Sequence, residues 1–294
     1  MDSLGMNDNL ASILIGIGGM FGWGIYDFLG GVFARQLGSF KALFWSQLAG
    51  LILMFLIAFA FSAEIALTMQ SLLWVPVAAV LYSAGYLFFF KGFEIGNVSL
   101  VAAAMNLWAV FTMLFAFLFM GQRLSAVQTL GVLMIISGVA IASVNWRDLR
   151  AQKFQLSAGI KEAILGAFFF GVFWNVSEII SEQVGWLFTT LFIKLGIVLF
   201  LLAFSYFAKR EVRFGTVSAG TKAVVLFMGL FDAGALALVN HGLTIGDAIL
   251  ITPISSALSL VTIALAILFL KDRITKLQGF GIALAIIGII TTAF

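Results

Sequence analysis

Short polar breaks divide an otherwise apolar chain into ten runs, each about 20 residues long or slightly longer. The breaks contain glycine, asparagine, serine or charged residues, as in GFEIGN at 92–97 and GQRLS at 121–125. A helix rises about 1.5 Å per residue, so each run can cross a hydrocarbon layer of about 30 Å. The pattern predicts ten membrane-spanning helices, at 10–33, 39–62, 71–92, 97–120, 125–144, 160–183, 186–207, 219–242, 246–270 and 275–293.

The composition agrees with this pattern. Of the 294 residues, 63% are hydrophobic and 10% are charged, whereas soluble domains have about 45–50% apolar and about 25% charged residues. The apolar runs are continuous, as at Ala11–Phe33 and Ala248–Leu270, while a β-barrel would show strands of about 10 residues with alternating character. We therefore predict an all-α integral membrane protein.

Basic residues collect on one side of the predicted spans. The opposite side holds only Arg123, and Lys194 lies within a span. Because basic loops stay in the cytoplasm, we predict a multi-pass protein of the cytoplasmic membrane with both termini outside. The other basic residues follow odd-numbered spans: Arg35, Lys41, Lys91, Arg147, Arg150, Lys153, Lys161, Lys209, Arg210, Arg213, Lys222, Lys271, Arg273 and Lys276.

The chain matches itself when it is shifted by 150 residues. GFEIGNVSL (92–100) then aligns with GLTIGDAIL (242–250), and the stretch 121–138 aligns with 271–288. Matched glycine, arginine and glutamine positions in one frame are far more informative in an apolar sequence than matched leucines. The repeat predicts two halves of five spans each.

Five is an odd number, so the second half must begin on the opposite side of the membrane from the first. The halves, 1–150 and 151–294, are therefore predicted to be inverted repeats around a central cavity. Inverted repeats are typical of secondary transporters, which bind their substrate near the midplane between the halves. Alternating access follows from this symmetry.

Several repeated positions have structural roles. Asn97 and Asp247 stand where an N-cap would open the fourth and ninth spans. Small residues spaced seven apart lie on one helix face and let membrane helices pack closely. The candidate capping boxes and glycine pairs are Ser125 with Gln128, Thr275 with Gln278, Gly131 with Gly138, and Gly281 with Gly288.

The sequence also resembles a known family. The WG pair at 23–24, the two halves, and the junctions GQRLS (121–125) and KDRIT (271–275) are similar to those of the drug/metabolite transporter superfamily, EamA type. That family has an acidic residue before the junction arginine, which Asp272 keeps and Gln122 replaces. The resemblance implies ten helices around a cavity lined by the first, third and fourth helices of each half. It implies transport of amino acids, sugars, nucleotide precursors, quaternary amines or drugs.

Two carboxylates follow a tryptophan by one helical turn. Asp27 follows Trp23, and Glu178 follows Trp174 at the corresponding place in the second half. A charge in the middle of a bilayer costs about 2.5–3.5 kcal/mol on insertion scales, so both should face water or a partner. We expect them to bind a cationic group of the substrate or a coupling proton; the alternative is an interfacial residue near a helix end.

Lys194 and Asp232 are the other deep charges, in the predicted seventh and eighth spans. Consecutive spans are often neighbours, so a structural ion pair is one interpretation. The alternative is that Asp232 faces the cavity and Lys194 binds a substrate carboxylate.

Aromatic and polar residues in the middle of spans complete the candidate site. An aromatic wall beside carboxylates suits an amine, because cations bind well to ring faces. The alternative is that the polar residues only hydrogen-bond between helices. The predicted substrate-binding residues are Trp23, Asp27, Tyr82, Tyr86, Asn106, Trp108, Trp174, Asn175, Glu178, Asp232 and Ser256.

The chain lacks most of the residue types and motifs that are typical of enzyme active sites. There is no cysteine, and His241 is the single histidine, so no thiolate or histidine-cluster metal site is expected. The motifs GxxxxGK[ST], HExxH and GxSxG are missing. We predict that the protein is not an enzyme and uses no cofactor.

The leading hypothesis is a secondary transporter of small organic metabolites, either an amino acid or another amine-bearing solute. It would be driven by protons or by exchange. Alternatives are an uptake carrier for sugars or quaternary amines and, in another class, a channel or a non-transporting receptor. The expected partners are a small molecule, the lipid bilayer and protons, with no nucleic acid, and the expected active form is a monomer.

Overall fold

The computed structural model describes residues 8–61, 68–95, 104–143, 159–271, 275–292 and 294. All the regular secondary structure in these residues is helical. The helices are α1 (Asp8–Leu37), α2 (Ser39–Ala60), α3 (Met69–Ile95), α4 (Leu107–Phe119), α5 (Ala126–Ser143), α6 (Ile160–Phe207), α7 (Ala219–Leu243), α8 (Ala248–Ser256), α9 (Leu258–Leu265), a π-helical turn (Ala266–Leu270) and α10 (Lys276–Thr291).

Six helical stretches are long and apolar enough to cross a membrane. They lie in α1, α2, α3, α6, α7 and in the run from Ala248 to Phe269, while α4, α5 and α10 are shorter apolar helices. Large apolar side chains on the outside, such as Phe59 (80% exposed) and Phe119 (79% exposed), would be unfavourable in water over so wide a surface. The protein is therefore a multi-pass membrane protein.

The predicted sixth and seventh spans form one helical segment, α6, which is broken at Gly185. This glycine has φ 75° and ψ 162°, outside the helical region. No atom would lie within 4 Å of a Cβ there, so the backbone conformation rather than crowding favours glycine. The break divides α6 into a first arm before Gly185 and a second arm after it.

The predicted ninth span is also interrupted. Its first piece, α8, contains Pro253 and ends at Ser256, and α9 begins at Leu258. We expected Asp247 to cap this helix with its side chain. Asp247 occupies the N-cap position but makes no such hydrogen bond. Gln122 accepts the N–H of Ile249, which a capping side chain could have accepted, and Glu178 accepts that of Ala248.

Both predicted capping boxes form. The Ser125 hydroxyl accepts the N–H of Gln128 while the Gln128 side chain accepts the N–H of Ser125. Thr275 and Gln278 make the same two bonds at the start of α10. The predicted cap at Asn97 lies outside the described residues.

Glycines bring α5 and α10 into close contact. A Cβ on Gly138 would lie 2.6 Å from the carbonyl oxygen of Gly281, and one on Gly131 would lie 2.8 Å from that of Gly288. The reverse contacts have nearly the same geometry, with 2.6 Å from Gly281 to Gly138 and 2.7 Å from Gly288 to Gly131. The repeat of 150 residues converts Gly131 to Gly281 and Gly288 to Gly138, so it turns one contacting pair into the other.

A second pair of contacts obeys the same exchange. Gly229 of α7 lies against the backbone of Ser46 in α2, and Gly196 of α6 lies against the side chain of Ala79 in α3. Shifting Ser46 and Ala79 by 150 residues gives Gly196 and Gly229. Equivalent residues in contact across an axis are the pattern of two-fold symmetry.

Candidate functional site

A cavity of about 80 Å³ opens between α1, α3, the start of α4, the first arm of α6 and α9. Since about 10–15 Å³ is enough to hold one water, it has room for several waters or a small solute. Its lining contains seven residues predicted from the sequence: Trp23, Asp27, Tyr82, Tyr86, Asn106, Trp108 and Trp174. The other lining residues are Phe89, Met105, Phe170, Leu258 and Ser259.

Helical spacing explains why these side chains converge. Residues four apart share a helix face, and the cavity receives such pairs from three helices. They are Trp23 and Asp27 in α1, Tyr82 and Tyr86 in α3, and Phe170 and Trp174 in α6. Each helix therefore contributes two successive turns of one face.

Three tryptophans form a layer at one end of the cavity. The ring centroids of Trp23 and Trp174 are 5.4 Å apart in a T-shaped contact, and those of Trp108 and Trp174 are 6.0 Å apart. We call Trp23, Trp108 and Trp174 the tryptophan layer. Such edge contacts stabilise aromatic pairs by about 0.5–1.5 kcal/mol beyond their burial.

A second aromatic group forms the cavity wall. The Phe170 ring lies 5.4 Å from the Tyr82 ring and 5.0 Å from the Tyr86 ring, in T-shaped contacts with both. The two tyrosine rings are 5.0 Å apart. The walls of the cavity are thus built largely from ring surfaces.

The two predicted carboxylates lie on opposite sides of the tryptophan layer. Asp27, one turn after Trp23, lines the cavity together with Phe170, which lies one turn before Trp174. The facing parts of α1 and α6 therefore run in opposite directions. Glu178 is one turn beyond Trp174 on the other side of the layer and is not among the lining residues.

Asp232 is the centre of a buried hydrogen-bond network behind the cavity. Its Oδ1 accepts the indole N–H of Trp23 (3.1 Å) and the hydroxyl of Tyr82 (2.7 Å). Its Oδ2 accepts the amide of Gln47 (2.7 Å) and the ammonium of Lys194, with which it forms an ion pair. Lys194 also donates to the Gln47 oxygen (2.7 Å). We call these five residues the Asp232 hub.

The hub determines what the cavity wall presents. Trp23 and Tyr82 donate their polar hydrogens to Asp232, so their rings present mainly π surface to the cavity. Lys194 is fully buried in the hub and is not part of the lining. Among the described residues, the lining includes one carboxylate, that of Asp27, and no lysine, arginine or histidine.

The polar lining residues Asn106 and Ser259 bind each other. The Asn106 amide donates to the Ser259 hydroxyl at 3.2 Å, which ties the start of α4 to α9. The sequence had suggested Ser256, the repeat mate of Asn106. Ser256 is instead buried in α8, where its hydroxyl donates to the Pro253 carbonyl at 2.7 Å.

Three further predicted residues lie outside the lining. Asp232 is in the hub, and Asn175 donates its amide to the carbonyls of Thr112 (3.2 Å) and Gly171 (2.9 Å). Glu178 accepts the Gln122 amide (2.7 Å) and the N–H of Ala248 (3.2 Å). All three are buried.

Sequence reasoning missed the apolar lining residues and the role of Gln122. Phe170 precedes Trp174 by four residues and Phe89 follows Tyr86 by three, so helical spacing from the predicted aromatics would have found both. Gln122 differs from the acidic residue of the family pattern, but nothing local indicated its contact with Glu178, which is 56 residues away in the chain. In the part of the chain that the structure describes, no group of three His, Cys, Asp or Glu residues could hold a metal ion.

Comparisons with known proteins give a family and a fold. The sequence model of the EamA-like transporter family matches the chain twice, at residues 10–144 and 157–294. A solved structure described only as the crystal structure of a protein superposes with a TM-score of 0.77 over 95% of this chain and 94% of its own, at 18% identity. A comparison with curated proteins gave no match.

Proposed function

Because the chain belongs to the EamA-like transporter family, we propose that it is a secondary transporter that binds small organic cations in the aromatic cavity. It would act as a monomer in the cytoplasmic membrane by alternating access. The observation that carries this proposal is the position of Asp27, the carboxylate of a lining made mainly of aromatic rings. A cation over an aromatic face gains about 0.5–2 kcal/mol, and the carboxylate adds a charge-assisted contact.

The hub narrows the substrate class. A zwitterionic amino acid needs a donor or cation for its carboxylate, and Lys194 is committed to Asp232 and Gln47. A sugar needs several free polar partners, and Asn106 already bonds Ser259. We therefore favour an amine or quaternary ammonium solute without a carboxylate over the amino acid and sugar alternatives.

For the topology, we propose ten membrane helices in two inverted halves, 1–150 and 151–294, with both termini outside. The interruption of α6 at Gly185 supports counting its two arms as separate spans. The reciprocal contacts of Gly131 with Gly288 and of Gly138 with Gly281 support a two-fold relation between the halves.

Alternating access would then exchange the roles of the two sides of the tryptophan layer. The side of Asp27 is open in this structure, and the side of Glu178 is closed by hydrogen bonds. For coupling, we propose that a proton and the substrate cation compete for Asp27. Cation transport in liposomes driven by a pH gradient would then be lost in Asp27→Asn. Undiminished gradient-driven transport by this variant would contradict the coupling.

Three molecules of one shape test the substrate class. Choline carries the cation, 3,3-dimethyl-1-butanol replaces it by an uncharged isostere, and glycine betaine adds a carboxylate. We expect choline to quench the fluorescence of the tryptophan layer in the purified protein. The other two should bind at least about tenfold more weakly, since 1.4 kcal/mol corresponds to tenfold. Equal affinity for the uncharged isostere, or tighter binding of betaine, would contradict the proposal.

Transport needs a separate measurement. In liposomes loaded with unlabelled cation, a carrier exchanges labelled cation from outside, with a rate that saturates as its concentration rises. We expect saturable exchange from the wild-type protein. Binding without exchange would indicate a receptor, and unsaturated ionic current would indicate a channel.

A further inference from the structure

Glu178 joins three separate parts of the chain. Its Oε1 accepts the Gln122 amide at 2.7 Å and the N–H of Ala248 at 3.2 Å. The Gln122 oxygen in turn accepts the N–H of Ile249 at 3.1 Å. These contacts tie the first arm of α6, the turn after α4 and the start of α8 together. We call Glu178, Gln122 and the two N–H groups the Glu178 latch.

Within the part of the chain that the structure describes, the charges around the latch do not compensate an ionised Glu178. The side chain is 1% exposed, and Asp247 on α8 and Glu182 on α6 both repel its negative charge. Arg123 directs its guanidinium to the carbonyls of Phe117 and Gln122, at 2.8 Å each. His241, at the end of α7, packs on the Trp186 ring. A buried carboxylate without a cation is strongly unfavourable.

Unsatisfied oxygens on the same helix point to a proton. Glu178 Oε2, Asn175 Oδ1 and Ser181 Oγ are all buried, and each lacks a hydrogen-bond partner among the described residues. The three residues are spaced by three, so they follow one side of α6. Glu178 Oε2 and Asn175 Oδ1 both accept when Glu178 is ionised, and no bond between them is possible. A proton on Oε2 would turn it into a donor toward Asn175 Oδ1, an acceptor on the neighbouring turn.

We propose that Glu178 is a proton-binding site, occupied when its side of the tryptophan layer is closed, and that this proton stabilises the closed latch. The proton comes from water and returns to it, and only the O–H bond forms and breaks. The inference rests on the alternating access of the proposed function and adds a pH-dependent step on the side opposite the cavity.

The direction of the pH effect follows from linkage. Water reaching an open latch stabilises the ionised carboxylate, whereas the closed latch buries it beside Asp247 and Glu182. Glu178 therefore holds its proton more tightly when the latch is closed, and protonation favours closure. Raising the pH removes the proton and opens the latch. With both termini outside, an acidic exterior would favour the state in which Asp27 faces the cytoplasm.

The cysteine-free sequence makes a labelling test simple. In the purified protein without added solute, Thr252→Cys puts a thiol on α8 at a fully buried position, one turn after Ala248. The rate of maleimide labelling reports opening. Thr244→Cys, at an exposed position just after the end of α7, serves as the reference. Dividing the Thr252→Cys rate by the Thr244→Cys rate cancels the change in thiol reactivity with pH. We expect the normalised rate to rise at least about fivefold between pH 5.5 and 8.5.

Matched variants connect this rise to Glu178. Added to the Thr252→Cys reporter, Glu178→Gln should label slowly at every pH, because glutamine resembles the protonated acid and can donate to Asn175. Glu162→Gln, a carboxylate in the first turn of the same helix and far from the latch, should label like the parent reporter. A flat profile in the parent, or an unchanged rise in Glu178→Gln, would overturn the proposal.

Asn175→Leu provides a second test if Glu178→Gln does not fold. It removes the acceptor for the proton, so the midpoint of the pH response should move to lower pH; an unchanged or higher midpoint would overturn the proposal. The labelling and binding results together distinguish failure of the proton site from failure of the proposed cation site. Flat labelling with intact choline binding rejects the proton site alone, and normal labelling without choline binding rejects the cation site alone.

Discussion

Asp27 and Glu178 begin from the same local pattern and end in different environments. Each follows a tryptophan by one turn, and the two tryptophans touch. Asp27 lines the cavity, while Glu178 is closed off by Gln122 and the start of α8. The comparison teaches that a repeated sequence motif can supply both the open and the closed half of one structure. Under the alternating access that we propose, one side would be shut while the other is open.

The largest expected effect comes from the hub behind the Asp27 side. Asp232→Ala leaves Lys194 buried without its carboxylate and removes the acceptor of Trp23 and Tyr82. Breaking a buried ion pair costs about 3–5 kcal/mol, so we expect a markedly lower thermal unfolding midpoint. The double variant Asp232→Leu with Lys194→Met should recover much of the loss, because no buried charge remains. A single variant as stable as the wild type would contradict the hub's role.

The comparison itself is tested by neutralising each carboxylate. Asp27→Asn should weaken choline binding about tenfold to a hundredfold, or by about 1.4–2.8 kcal/mol, since it removes the ionic attraction between the carboxylate and the trimethylammonium group. Glu178→Gln should change it by less than about threefold, because Glu178 lies beyond the tryptophan layer. Titration of tryptophan fluorescence measures both. Equal losses in the two variants would show that the two sides are not distinct in binding.

The two-fold packing supports a smaller prediction. Gly138→Ala places a Cβ 2.5 Å from the backbone nitrogen of Ala285 and 2.6 Å from the Gly281 oxygen, and overpacking costs about 1–3 kcal/mol. Gly234→Ala in α7 is the matched control, because nothing lies within 4 Å of its Cβ and alanine favours a helix by up to about 1 kcal/mol. The midpoint of thermal unfolding should fall for Gly138→Ala and should stay the same or rise for Gly234→Ala. The reverse order would contradict the close α5–α10 contact.

The smallest effect concerns an exposed ion pair that joins α2 to the segment after α6. The Lys41 ammonium, 2.9 Å from Glu211, holds the pKa of that carboxyl below its usual value. A depressed carboxyl pKa contributes stability at neutral pH that is lost as the pH falls through the folded-state value. Lys41→Ala should therefore lower the unfolding midpoint only slightly at neutral pH and low salt. The difference should vanish in acid or in high salt, and a difference that persists there would exclude an electrostatic cause.

Much of the secondary structure was predictable because membrane helices carry strong local signals. Predicted span ends at 125–144 and 219–242 lie within a residue or two of α5 and α7, and both capping boxes form as their spacing indicates. The family resemblance, argued from the WG pair and the two junctions, is confirmed by the family match. The interruption between α8 and α9 is not part of the predicted pattern, because a proline such as Pro253 by itself indicates only a kinked or broken helix.

The candidate site was predictable only in part. Spacing of three or four residues found Asp27, Tyr82 and Tyr86, since it identifies residues on one helix face. The same reasoning could not tell that Asp232 and Glu178 lie behind or beyond the cavity. Both are deep polar residues in apolar helices, and their partners come from distant parts of the chain.

The sequence by itself determined that the chain crosses a membrane as helices, that it repeats after 150 residues, and which side chains share a face. These properties depend on hydropathy and on a period of 3.6 residues, which act within a single helix. Only the tertiary structure decided which polar hydrogens point into the cavity and which carboxylate is closed off. Those outcomes depend on how helices pack, because in a membrane, where water is scarce, buried polar groups are stabilised mainly by partners within the protein, and many of these come from distant parts of the chain.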